Sequence, residues 1–293
     1  MKAKYVFKYG RDLIDGFFLK LFYKKPNVLS DEQTIDYIVN NKCSISRFGD
    51  GELRLMRGIN LEFQKFDKFL SKKLKGVKSN NVCLACIPCI FDKSLFNNEV
   101  LTDDEYNYWN KFKKRRGGLW NYYFRNSKTL GDAFISRFYI RKKQKENVAG
   151  YVEKLKKIWE NRNIIFVEGE KSRLGVGNDL FDNAKSIKRI LCPATDAFNV
   201  YEKIKQSILN NSNKDDLIIM AIGPTATALA YELSPSLQCL DLGHIDIEYE
   251  WYKMNATKKE LVKNKFVNEV AGGNVVDESE DKQYKEQVID KIL

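Results

Sequence analysis

The chain has 293 residues, of which 43% are hydrophobic and 13% aromatic, enough to bury a sizeable core and too apolar for an intrinsically disordered chain. Its 50 Lys and Arg outnumber 39 Asp and Glu, a net charge of +11 that favours anionic partners without choosing among nucleic acid, anionic lipid and phosphorylated small molecules. Six cysteines are too few for a disulfide scaffold, no secretory signal pattern opens the sequence, and no run approaches the ~18 apolar residues of a membrane span, so a cytoplasmic setting with at most peripheral membrane contact is expected.

Residues 1–30 form a basic amphipathic segment in which Lys2, Lys4, Lys8, Arg11, Lys20, Lys24 and Lys25 surround Ile14, Phe17, Phe18 and Leu21. Such a stripe suits docking on a membrane surface, or packing on the domain or on a second subunit, as in a homodimer. A helical pattern over 31–41 leads to the apolar run 43–48, and a second run spans 82–87. The stretch 92–147 is helical, basic and aromatic and reads as an insertion or cap. Beyond it, helical patterns at 148–160, 196–211 and 224–234 alternate with apolar runs at 163–169, 188–193, 216–223 and 237–243. This alternation predicts an α/β, Rossmann-like domain over 31–272, with a mainly parallel sheet and helices on both faces. Residues 273–293 are polar and read as a tail or surface helix.

Ligands of such sheets bind beyond the carboxyl ends of the strands, so the residues after each run carry the interest. After the first run come Gly49, Asp50, Gly51 and Glu52. In an extended segment the two carboxylates project to one side and suit a divalent ion; in a helix covering 51–57, Asp50 is an N-cap and Glu52 a complement to the dipole. In GHIDIEYEW, strand-like alternation sets His244, the chain's single histidine, beside Asp246 and Glu248 on one face, against the alternative of a hydrogen-bonded structural imidazole. The turn VEGEKSRLGVGNDLF offers Glu168 and Glu170 as acceptors, Arg173 for phosphate and glycines for close approach, or is a charged surface turn. AIGPTATALAYEL reads as strand, turn and helix, whose N-terminus suits a diphosphate or merely starts a well-packed helix with Pro224. Cys83, Cys86 and Cys89 are spaced for opposite faces of a strand and read as buried thiols rather than a metal knuckle.

Taken in order, SRFGDGEL, LGDAFISRFYI, FVEGEKSRLGVGNDLF, CPATDAF, AIGPTATALAYEL and LDLGHIDIEYEW resemble the successive motifs of the GT-D-fold glycosyltransferases, from about residue 43 to 270. This bacterial family was once catalogued as a domain of unknown function. The resemblance implies a Rossmann-like fold, a UDP-sugar donor, and an Asp-x-Glu motif needed for a divalent cation and diphosphate, which falls on Asp50 and Glu52. The expected reaction moves a hexose, glucose favoured, to a glycan, glycoprotein or lipid-linked acceptor, in the cytoplasm or at the inner face of the membrane. Mn²⁺ or Mg²⁺ is expected on Asp50 and Glu52 with His244 completing the set, and Asp246 or Glu248 as the base for the acceptor hydroxyl. Donor contacts are expected from Arg47 and Arg173 to phosphate, from Phe48, Gly49, Gly223, Pro224 and Thr225 nearby, and from Glu168, Gly169, Ser172, Gly175, Asn178 and Asp179 around the nucleoside. Two rivals stand beside this reading: a nucleic-acid-binding protein using the basic and aromatic stretch 111–126, which leaves the acids unexplained, and a nucleotidyltransferase acting on sugar nucleotides.

Overall fold

The computed structural model describes residues 10, 13–17, 21 and 26–293; the remaining positions of the basic N-terminal stretch lie outside the described residues. Eight parallel strands form one sheet in the order β3-β2-β1-β7-β6-β4-β5-β8. The strands are β1 (Ser44–Arg47), β2 (Cys83–Ile87), β3 (Gly131–Asp132), β4 (Asn163–Gly169), β5 (Ser186–Cys192), β6 (Leu217–Ala221), β7 (Gln238–Asp241) and β8 (Val288–Lys291). Between them lie α1 (Asp31–Asn41), α2 (Asp50–Met56), α3 (Lys68–Gly76), α4 (Asp103–Phe124), α5 (Val148–Lys156), α6 (Tyr201–Asn211), α7 (Pro224–Leu233), α8 (Ile245–Lys253) and α9 (Lys282–Gln287). Among the described residues no helix is long and apolar enough to cross a membrane.

Side chains alternate across the sheet and so divide between two apolar layers. Ile165 and Val167 of β4 and Ile218 and Met220 of β6 join one layer with Trp120 and Leu229. Their neighbours Ile164, Phe166, Leu217 and Ile219 join the other with Trp159 and Trp251. Burial on both faces is what makes these strands short continuous apolar runs. Local signals set the helices: Ser30 caps α1 in a reciprocal box with Gln33, and Asp67 caps α3 through the N–H groups of Phe69 and Leu70.

Two expectations change. The C-terminal stretch, expected as a tail or surface helix, supplies α9 and also β8, which pairs along β5 and covers that strand's backbone groups. The basic, aromatic stretch yields α4, and its Trp109, Phe112, Leu119, Trp120 and Phe124 are core residues rather than stacking platforms. All six cysteines are free and buried, and burial pushes the Cys83 thiol up to about 11 and that of Cys43 to about 12.

Candidate active site

From β1 the chain runs outward through β2 to β3, then restarts at β4 in the other half, so loops leave the middle of the sheet in opposite directions and open a crevice there. A cleft of about 260 Å³ occupies it, floored by Arg47, Gly49, Gly169, Ala221, Gly223 and Asp241 from the carboxyl ends of β1, β4, β6 and β7. A second recess of about 890 Å³ continues it, and the two share Asp50, Glu52, Arg137, His244 and Asn268. Phe63, Trp109 and Phe134 also line both.

Beyond β1 the backbone turns at Gly49, the N-cap of α2, which places Asp50 and Glu52 in the helix's first turn. The capping arrangement and the ligand arrangement therefore share the same residues. The Gly49 N–H donates to Glu52 Oε2 at 2.7 Å, and Tyr108 of α4 donates its hydroxyl to Asp50 Oδ2 at 2.7 Å. Burial, then the nearby Asp241 carboxylate and more weakly that of Asp50, raise the Glu52 carboxyl to about 7. A carboxylate so crowded by its own kind is a position where a cation relieves repulsion.

Asp241 ends β7 and is buried; it accepts the Arg47 N–H at 3.2 Å and the Thr227 hydroxyl at 2.9 Å, and pairs with the Arg47 guanidinium at 3.3 Å. Arg47 also donates to Ser136 Oγ at 2.6 Å and to the Ala133 carbonyl at 3.2 Å. It lines the cleft, yet most of its donors are committed to protein. Gly243 follows with φ +49, and any Cβ there would collide with the Arg47 guanidinium, so this turn requires glycine.

The turn delivers His244 as the residue before α8, so the segment expected to alternate as a strand is a helix. At about 100° per residue, Asp246 and Glu248 face different sides rather than one. Asp246 accepts from the Gly175 N–H and the Asn178 amide, each at 2.8 Å, and pairs with buried Lys265 at 2.7 Å. Glu248 accepts the Tyr139 and Ile140 N–H groups at 3.1 and 3.0 Å and faces Arg137 at 3.6 Å. Both carboxylates brace the framework through these partners, while Asp246 also borders the cleft and Glu248 the second recess. His244 is hydrogen-bonded to Asn268, and burial, with Arg137 and Arg47, lowers its pKa to about 4, leaving a neutral imidazole at pH 7.

The expected donor residues separate into groups. Gly49, Gly169, Ser172 and Gly223 line the cleft. Pro224 and Thr225 are buried in the first turn of α7, behind Gly223 with its φ of +58. Phe48 is a core residue whose ring meets that of Phe124 at 4.9 Å between centroids, so it is not a cleft contact. Glu168 is fully buried, paired with Arg189 at 2.6 Å and accepting the Leu174 N–H at 2.7 Å, which excludes it from a ribose. Arg173 is buried too, spending its guanidinium on the Asn264 and Asp277 carbonyls rather than on phosphate. Gly175, Asn178 and Asp179 border a different recess, and Asp179 is held by the Tyr249 hydroxyl at 2.8 Å and Lys253 at 3.2 Å.

The structure adds residues that sequence reasoning passed over. Tyr108 and Trp109 lay inside the supposed cap. Arg137, in LGDAFISRFYI, borders both recesses and pairs with Glu269 and Glu248. Asp196, in CPATDAF, follows β5 and holds the Lys65 N–H at 2.6 Å at the cleft's margin. For Arg137 and Asp196, position just beyond a strand end was the available signal.

Among the described residues no group of three or more His, Cys, Asp or Glu side chains is arranged to hold a metal ion, so the expected set of Asp50, Glu52 and His244 is not assembled. Two carboxylates remain at the cleft, and Mg²⁺-type sites commonly rely on one or two carboxylates completed by substrate phosphate oxygens and water. The pair fits a cation held jointly with a phosphorylated ligand, and does not fit a cage made by protein alone.

Comparison with known proteins identifies the family and the fold. The family described as "Glycosyltransferase GT-D fold" matches residues 45–270. The chain is 37% identical over 271 residues to "Probable glycosyl transferase Gly" of Streptococcus gordonii, covering 91% of this chain and 39% of that protein. It is 36% identical over 270 residues to "Glycosyltransferase GlyD" of Streptococcus pneumoniae serotype 4, covering 89% of this chain and 32% of that protein. The chain thus spans well under half the length of these relatives. A solved structure described as "The highly conserved domain of unknown function 1792 has a distinct glycosyltransferase fold" superposes with a TM-score of 0.84 at 34% identity, covering 96% of this chain and 99% of the other. Another, "A New Glycosyltransferase (DUF1792) from Streptococcus sanguinis", gives 0.83 at 35% identity, covering 92% and 100%. With a matching fold, a matching order of motifs and a family match across most of its length, the chain belongs to the GT-D-fold glycosyltransferase family.

Proposed function

We propose that this chain is a metal-dependent hexosyltransferase that takes a sugar, glucose favoured, from a UDP-sugar and passes it to a glycan, glycoprotein or lipid-linked acceptor in the cytoplasm. The observation that carries the reading is the meeting, in one cleft, of the Asp50 and Glu52 carboxylates with the start of α7 at Gly223. The start of that ten-residue helix turns the positive end of its dipole toward a diphosphate, with Pro224 lacking an N–H and the Ala226 N–H already donated to the Gly223 carbonyl. Gln64, Asp196 and the apolar side of Phe63, Pro193 and Ala194 offer a nucleoside both hydrogen bonds and a flat wall. The relatives named as glycosyltransferases support sugar transfer; the choice of UDP and of hexose is our proposal.

Asp50 and Glu52 would hold Mn²⁺ or Mg²⁺, which supplies positive charge against the diphosphate as it leaves. Tyr108 fixes the Asp50 carboxylate and the Gly49 N–H fixes Glu52, so both are oriented before a ligand arrives. His244, neutral and on the border between the two recesses, orients the acceptor hydroxyl and offers a lone pair to its proton. Arg137 neutralises Glu248 and Glu269 beside it.

Incubation with UDP-glucose, UDP-galactose and UDP-N-acetylglucosamine with Mn²⁺ tests the reading. Release of UDP is expected, slower by at least about a hundredfold in Asp50→Ala and in Glu52→Ala. Release of pyrophosphate instead would identify nucleotidyl transfer, and unchanged UDP release in the variants would remove the two acids from the mechanism.

A further inference from the structure

The N-terminal segment carries a surface that sugar transfer does not use. Leu13, Ile14, Phe17 and Leu21 are 72%, 51%, 59% and 58% exposed, although each belongs to a helical position. Their spacing of i, i+1, i+4 and i+8 sets them on one face of a helix. Asp15, on the opposite side, is 1% exposed and pairs with Arg57 at 2.8 Å and Arg116 at 3.2 Å. The segment is thus fastened to the domain by a buried carboxylate while its apolar stripe is turned outward. A segment that merely completed the core would do the reverse.

We infer that this stripe docks on an anionic lipid surface. Charge selects that occupant over a second copy of the chain. The first 25 residues hold seven Lys and Arg against two Asp, and one of those acids is the buried Asp15. A second copy would bring the same excess of positive charge to the contact, in a protein whose net charge is already +11. An anionic membrane neutralises it, while the exposed Leu, Ile and Phe side chains enter the headgroup boundary. Arg57 caps α2, the helix that begins with Asp50, and Arg116 belongs to α4, which carries Tyr108. Docking therefore anchors the protein through the helix that carries the acidic pair and the helix that holds Asp50 by Tyr108.

Co-sedimentation of the full chain tests the inference, using vesicles of phosphatidylglycerol with phosphatidylethanolamine and, separately, of phosphatidylcholine alone. Pelleting with the anionic vesicles is expected, weakened by added salt and at least about tenfold weaker with phosphatidylcholine. The double variant Leu13→Ser with Phe17→Ser should keep the parent's melting temperature, since both side chains are exposed, and should lose at least about tenfold in vesicle partition. Three results would each overturn the inference: no pelleting with anionic vesicles, pelleting indifferent to the double variant, or a dimer by light scattering that the double variant converts to monomer. None of these readouts depends on the sugar-transfer reading.

Discussion

The pattern Asp-x-Glu follows the carboxyl ends of two adjacent central strands, as Asp50-Gly51-Glu52 after β1 and as Asp246-Ile247-Glu248 after its neighbour β7. Each pair lies in the first turn of a helix, where the dipole favours acids. Their surroundings separate them. Asp246 is held by Lys265, Asn178 and a backbone N–H, and Glu248 by two backbone N–H groups with Arg137 alongside. Asp50 has one hydroxyl and Glu52 one backbone N–H, and no Lys or Arg pairs with either among the described residues. Partner supply, rather than residue type or spacing, divides carboxylates that hold the fold from carboxylates left available to a cation.

The contrast breaks most severely if the buried cation of the second pair is removed. Lys265→Met leaves Asp246 charged and buried without its partner, and should lower stability by about 3–5 kcal/mol in urea unfolding. Asp50→Asn should change stability by no more than about 1 kcal/mol, since its carboxylate is at the open cleft. Equal losses in the two variants would erase the distinction.

Acidity sharpens it next. The Glu52 carboxyl stands at about 7 in the folded chain against a reference of 4.5, so between those values the folded state keeps a proton that the unfolded state has released. Stability from this group is present below 4.5 and is lost as pH rises to 7, by up to about 1.4 kcal/mol per pH unit. Melting temperatures at pH 5 and pH 7.5 should accordingly converge in Glu52→Gln relative to the parent; parallel behaviour of the two proteins would show that burial and the neighbouring acids do not raise the Glu52 carboxyl.

Tyr108→Phe should have the smallest effect. It deletes the hydroxyl that orients Asp50 and keeps the ring, costing about fivefold in transfer for a lost hydrogen bond of ~1 kcal/mol. A loss as large as that of Asp50→Ala would make Tyr108 part of the chemistry rather than a support.

The sheet was largely legible in the sequence because parallel strands buried on both faces are blocks of apolar residues; the run 163–169 matches β4 end to end. β8 was hidden, since its residues VIDK alternate between half-buried and exposed positions at the edge of the sheet. The segment IDIEYEW misled in a more instructive way. Its period-two pattern mimics a strand, but the positive φ at Gly243 turns the chain and helical packing then buries both kinds of side chain, Asp246 and Glu248 along with Ile245, Ile247 and Tyr249. Asp50 and Glu52 could be singled out from spacing and family likeness. That Glu168 and Arg173 are framework residues could not, because their partners Arg189, Asn264 and Asp277 are remote in sequence and only folding brings them together.

The central claim is that the Asp50 and Glu52 pair holds a cation jointly with a nucleotide diphosphate. Calorimetric titration of UDP with and without Mn²⁺, on the parent and on the Asp50→Ala, Glu52→Ala double variant, tests it most directly. Mn²⁺ should tighten UDP binding in the parent by at least about tenfold and leave the double variant's affinity unchanged. Equal tightening by Mn²⁺ in both proteins would contradict it.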